Sequence, residues 1–73
     1  MRFEKRGAIV DAQRWLAASA HPRVERDAER WVIATPEGWR EVNDGDWIVT
    51  DETGNAWPMN DHLFRSLYVP AGE

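Results

Sequence analysis

Seventy-three residues, a net charge of −4 and no cysteine bound one small domain without disulfides, thiol chemistry or cysteine-based zinc sites. A chain this short buries a modest share of its surface; five Trp, two Phe and one Tyr supply the dense ring packing that offsets this, since each ring buries more area than an aliphatic side chain. Charge is uneven, with eight basic and six acidic residues over 1–40 but one basic and seven acidic over 41–73, which leaves no continuous basic stripe for duplex nucleic acid.

No apolar run approaches the ~18 residues that span a bilayer. The start, MRFEKRGAIVDAQRW, has neither an apolar signal core nor a cleavage site. No membrane partner is expected, and the cytoplasm is the expected location.

In chain order, AIVDAQRW (8–15) alternates Ala8, Val10 and Ala12 against Ile9, Asp11 and Gln13, which predicts a strand. LAASAHP favours a short helix that must stop by Ala20 or His21, because Pro22 restricts the residue before it. Residues 23–28, RVERDA, fit neither period cleanly and are expected as a loop. ERWVIAT (29–35) is a strand of β-branched and aromatic residues. Pro36-Glu37-Gly38 sets a type I turn, and GWREV is the return strand. Asn43-Asp44-Gly45-Asp46 is a second turn, in which Gly45 can take positive φ. DWIVT is the next strand, residues 51–55 a third turn, and AWPM a short strand that Pro58 confines to an edge.

The C-terminus changes period. In MNDHLFRSL, Asn60 or Asp61 caps a short helix, with Met59 and Phe64 as a hydrophobic staple. Leu63, Phe64 and Leu67 are expected to form the stripe that docks on the sheet. Tyr68-Val69-Pro70 leaves as a tail with a few edge contacts. One α+β domain spanning 1–73 follows, mainly β: a small bent antiparallel sheet or barrel-like meander of about five strands with a short C-terminal helix.

Catalytic signals are few. His21 and His62 sit in no metal-ligand spacing, Ser19 and Ser66 lack an elbow motif, and Gly38, Gly45 and Gly54 are explained by turns rather than by a phosphate loop. Asp44, Asp46, Asp51 and Glu52 lack the ligand pattern of a calcium loop and suit turns, where Asp accepts backbone N–H bonds. No enzyme, metal or cofactor is expected.

The tryptophans are the remaining feature. Trp31, Trp39 and Trp47 recur every eight residues and Trp57 follows, which is hairpin spacing, one ring per strand. Both faces of these strands are largely apolar, so one face is core and the other is either covered by the helix or exposed. Trp31, Trp39, Arg40, Trp47 and Trp57 are therefore the candidate binding residues. Exposed rings with arginines at the margin suit a protein partner, or a base or ring with a phosphate.

The chain also resembles a group of small uncharacterised bacteriophage and prophage proteins. The likeness rests on Val10, Ala12 and Trp15 at the start, then Thr35, Glu37, Gly38 and Val42, then Gly45-Asp46-Trp47-Ile48-Val49, and finally Gly54, Pro58, Phe64, Tyr68 and Pro70. It does not extend to the segment between Trp15 and Trp31. Asp44 stands where the group often has proline, Asp51 where glycine is common and Trp57 where tyrosine is common, while Asn60-Asp61 replaces a Lys-Pro. The resemblance implies a phage or prophage setting, hence the host-cell cytoplasm, and a compact β-rich domain without an established activity. The expected function is a non-enzymatic accessory protein that binds a host or phage protein, or a second copy of itself, through an aromatic and arginine face. The alternative is a binder of a small phosphorylated or nucleotide-like ligand.

Overall fold

Alternation of apolar and polar side chains lets a strand bury one face, and it organises most of the chain. The computed structural model describes residues 2–5, 8–16 and 20–70. The order is β1 (Arg2–Lys5), β2 (Ala8–Arg14), β3 (Val24–Asp27), β4 (Arg30–Thr35), β5 (Gly38–Val42), β6 (Trp47–Thr50), β7 (Ala56–Met59), α1 (Asp61–Leu67) and β8 (Val69–Pro70). The strands form two antiparallel sheets, of five strands in the order β7-β6-β2-β1-β8 and of three in the order β3-β4-β5. The chain is thus α+β and mainly β with a short C-terminal helix, as expected. Its sheets stay open rather than closing into a barrel, and the described residues hold eight strands rather than about five.

The extra strands are those whose pattern is too short to read alone. Residues 23–28, expected as a loop, contain β3, whose Val24 lies opposite Ile33 and whose Asp27 lies opposite Arg30. A two-residue turn at Ala28-Glu29 makes this hairpin, with Ala28 at φ 57 and its carbonyl accepting from Arg26 Nε at 3.0 Å. In β1, Phe3 alone is buried; it pairs with Val10 on one side and Pro70 on the other, so the C-terminal tail becomes a strand. The helix expected across 16–20 falls largely on residues outside those described.

Two apolar clusters hold the fold. Phe3, Val10, Ala12, Val49 and Phe64 form one, on the face of the larger sheet that α1 covers. Trp15, Ile33, Val42, Ile48 and Ala56 form the other, between the two sheets. The sheets meet where the second turn docks on the end of β2. Trp15 N donates to Asp46 O at 2.7 Å, and Gly45 N donates to Trp15 O at 2.8 Å. Gly45 permits this because its φ is 90. The buried Asp46 carboxylate accepts from Asn43 N at 2.9 Å, which closes the turn and satisfies the buried charge.

Asn60 is the helix cap, its side chain accepting from Leu63 N at 2.8 Å, and Met59 packs on the cluster that holds Phe64. The expected docking stripe is corrected. Phe64 is buried, but Leu63 and Leu67 are exposed. The docked face runs through Asp61, Phe64 and the half-buried Tyr68, three and four residues apart, which leaves Leu63 and Leu67 on the solvent side. Pro58 is in an edge strand as expected.

Candidate functional site

The β4–β5 register decides which tryptophans can share a surface. Thr35 lies opposite Gly38, which sets Trp31 opposite Val42 and Trp39 opposite Ala34. Side chains alternate faces along a strand, so Trp31 and Trp39 point to opposite sides of the three-stranded sheet. Trp31 faces inward, half-buried on the inter-sheet cluster, with its ring 5.4 Å from that of Trp15 and the Arg26 guanidinium 5.0 Å from its centroid.

Trp47 is on the larger sheet, under the helix. Its ring stacks on Phe64 at 4.3 Å, and Phe64 in turn stacks on Tyr68 at 5.1 Å; Phe3 meets both Trp47 and Phe64 edge-on. Trp47 Nε1 donates to Asp61 Oδ1 at 2.9 Å, and Asp61 also accepts from Arg65 Nε at 3.0 Å and lies 3.7 Å from Arg14. The Trp47 and Arg65 donors and the nearby arginines hold the Asp61 carboxyl below the usual carboxylate range. Trp47 is therefore a packed and tethered ring. Trp15 was not among the expected site residues and is the most buried tryptophan, at 2% exposure.

Trp39 is the contrast, with 61% of its surface exposed. It forms one wall of a cleft of about 270 Å³ on the outer face of the small sheet, with Val32 at its floor and Glu25, Arg26 and Asp27 of β3 across from it. Glu41 shares that face, opposite Val32. Asp27 lies 3.8 Å from Arg30, whereas among the described residues no cation lies within ion-pair distance of Glu25 or Glu41. The site is an exposed indole over an apolar floor with an acidic margin. Strand alternation alone puts Glu41 on the Trp39 face; Val32 joins it through the Pro36-Glu37-Gly38 turn, and Glu25 through the Ala28-Glu29 turn of a hairpin that the sequence does not signal.

Arg40 and Trp57 come together elsewhere. With Thr35, Pro36 and Glu37 they line a cleft of about 290 Å³ at the β4–β5 turn. Arg40 lies 3.8 Å from Glu37 there, and the Thr35 hydroxyl is engaged within the turn, donating to Gly38 O and accepting from Glu37 N. The five expected site residues thus divide into Trp39 alone, Arg40 with Trp57, and two rings committed to packing.

A third cleft, of about 460 Å³, is lined by Gln13, Arg14, Trp15, His21 and Trp47, with Ala12 and Ala20. His21 Nδ1 accepts from Arg23 N at 3.1 Å. Burial and the neighbouring Arg23 lower its pKa against an opposing effect of Asp11, so it is neutral near pH 7. No carboxylate or hydroxyl lines this cleft among the described residues, and Ser19 lies outside them. Asp51 accepts from the Thr53 hydroxyl and from Asn55 N and Thr53 N in its turn, and these bonds, chiefly that of the hydroxyl, lower its pKa. Among the described residues no three His, Asp or Glu side chains gather as a metal set, and no helix is long and apolar enough to cross a membrane.

No family model matches the chain, and no curated protein or solved structure shows significant similarity to it.

Proposed function

We propose that the protein is a non-enzymatic accessory module of phage or prophage origin that binds a host or phage protein on the outer face of its three-stranded sheet. The supporting observation is the exposure of Trp39 over Val32, beside Glu25, Asp27 and Glu41. An exposed indole beside an apolar floor is available for contact, and Trp is a favoured anchor at protein interfaces. The acidic margin favours a partner that brings cations to the indole. The phage or prophage setting rests on the sequence resemblance alone.

Affinity capture from host-cell extract tests this, with Trp39→Ala compared against Leu63→Ala, an exposed apolar change on the far side. Wild type and Leu63→Ala should retain the same partner and Trp39→Ala should lose it. Equal capture by all three, or none by any, contradicts the proposal. Light scattering of the purified protein distinguishes a second copy as the partner.

A second reading takes the cleft that joins Arg40 and Trp57 as a seat for a small phosphorylated or nucleotide-like ligand. It ranks lower because Arg40 is the single cation lining that cleft among the described residues and Glu37 already meets it at 3.8 Å, which is too little positive charge for a phosphate dianion. Saturable amide shifts at Arg40 and Trp57 on titration with a nucleoside monophosphate would favour it.

A further inference from the structure

The two open sheets end in four strand edges, and three are protected. β7 carries Pro58, which removes a backbone donor. β8 has two residues, one of them Pro70. β3 has four residues, and Glu25, Arg26 and Asp27 place three successive charges on it. Short length, proline and charge are the usual ways in which an edge avoids pairing with another chain. β5 is the least protected: it carries the charges of Arg40 and Glu41, but it is the longest of the four, has no proline, and its residues from Gly38 to Glu41 are exposed. Among the described residues, its main-chain groups that point away from β4 have no strand partner.

On this edge, we infer that the protein takes an added antiparallel strand from an extended peptide segment of its partner, in which a cation, an anion and an apolar residue follow one another. The inference rests on the Trp39 reading above and specifies how the partner binds. The pattern comes from the register. Directly opposed residues share a face, and side chains along β5 alternate, with Trp39 and Glu41 on the outer face and Arg40 on the inner. An antiparallel strand beside β5, read from its own N-terminus, places a residue opposite Glu41, then one opposite Arg40, then one opposite Trp39. Charge complementarity makes the first a lysine or arginine and the second an aspartate or glutamate, and packing against the indole makes the third apolar. The anion falls on the inner side, where Arg40 lines the cleft with Trp57. Main-chain bonds supply affinity in such strand addition and the alternate side chains supply specificity. The antiparallel direction matches every pairing in the sheet and is the more stable ladder.

The test uses the whole labelled protein and three acetylated peptides: Thr-Lys-Glu-Val-Thr, its charge-swapped form Thr-Glu-Lys-Val-Thr, and the first peptide N-methylated at alternate residues. The first should give saturable amide shifts along β5 and slow exchange at alternate β5 amides. The swapped peptide should bind about tenfold more weakly, because two cross-strand pairs turn from attraction to repulsion. In an Arg40→Glu, Glu41→Lys double variant that order should reverse. The N-methylated peptide should not bind. Equal binding of the N-methylated peptide overturns strand addition while leaving Trp39 as a side-chain anchor. Equal binding of the swapped peptide overturns the register. Absence of any β5 shift overturns the inference as a whole, and the capture experiment with Trp39→Ala then decides separately whether the face binds protein.

Discussion

Trp39 and Trp47 stand on successive strands, β5 and β6, yet their rings end in opposite conditions. The Trp47 ring is stacked on Phe64, met edge-on by Phe3 and tethered through its indole N–H to Asp61. The Trp39 ring rests beside Val32 with most of its surface in water. The difference lies in what each sheet face meets. The larger sheet is covered on one side by α1 and on the other by the small sheet, whereas among the described residues the small sheet has one covered face. Similar aromatic content therefore yields a core on one sheet and an available surface on the other.

The largest expected effect comes from uncovering the packed region. Phe64→Ala removes the ring that joins α1 to both Trp47 and Phe3 and should cost about 3–5 kcal/mol, a large part of the stability of a small domain. Chemical denaturation reads this directly; a loss under about 1 kcal/mol would mean that the helix is not docked as described. Next is the turn that joins the two regions. Gly45→Val places a β-branched side chain at φ 90, with Arg14 within 3.5 Å of the new Cβ, and should lower stability by about 1 kcal/mol or more. An unchanged melting midpoint would contradict the turn.

A smaller effect appears in acid. The folded-state pKa of Asp61 is depressed, so its contribution is present above the ordinary carboxylate pKa of about 4 and is lost as pH falls through the lower folded value. Asp61→Asn should flatten this part of the fall in melting midpoint and weaken protection of the Trp47 indole proton. Some acid dependence should remain, because Asp51 is depressed in the same direction. A profile identical to wild type would show that Asp61 does not tether the ring. The smallest effect on folding is expected at the exposed ring, where Trp39→Ala should change stability by no more than about 0.5 kcal/mol. A loss like that of Phe64→Ala would place Trp39 in the core and end its candidacy as an anchor.

The regions also differ in how far the amino-acid pattern foretells them. The strands from Arg30 to Met59 were legible because Pro36-Glu37-Gly38, Asp44-Gly45 and Asp51–Asn55 mark their corners. β1 and β3 were not, because RFEK buries only Phe3 and VERD half-buries only Val24, and one apolar residue cannot display a period. They are strands because a neighbour pairs with them. The division into two sheets depends on the chain crossing after Trp15, a long-range event without a local signal. At the site, alternation within each strand does not say which faces of neighbouring strands coincide, so it leaves five candidates on what looks like a single surface. Carrying parity across the turn, with Thr35 opposite Gly38, separates Trp31 from Trp39. Leu63 and Leu67 misled in a similar way, since helical spacing defines a stripe but not which of two adjoining stripes meets the sheet.

The central claim is that one tryptophan is set apart for binding while the others are packed. Fluorine NMR of fluorotryptophan-labelled protein, with a soluble paramagnetic agent added, tests it ring by ring. The Trp39 resonance should broaden most, those of Trp31, Trp47 and Trp57 less, and that of Trp15 least. A protected Trp39, or broadening of Trp31 or Trp47 equal to that of Trp39, would contradict the account.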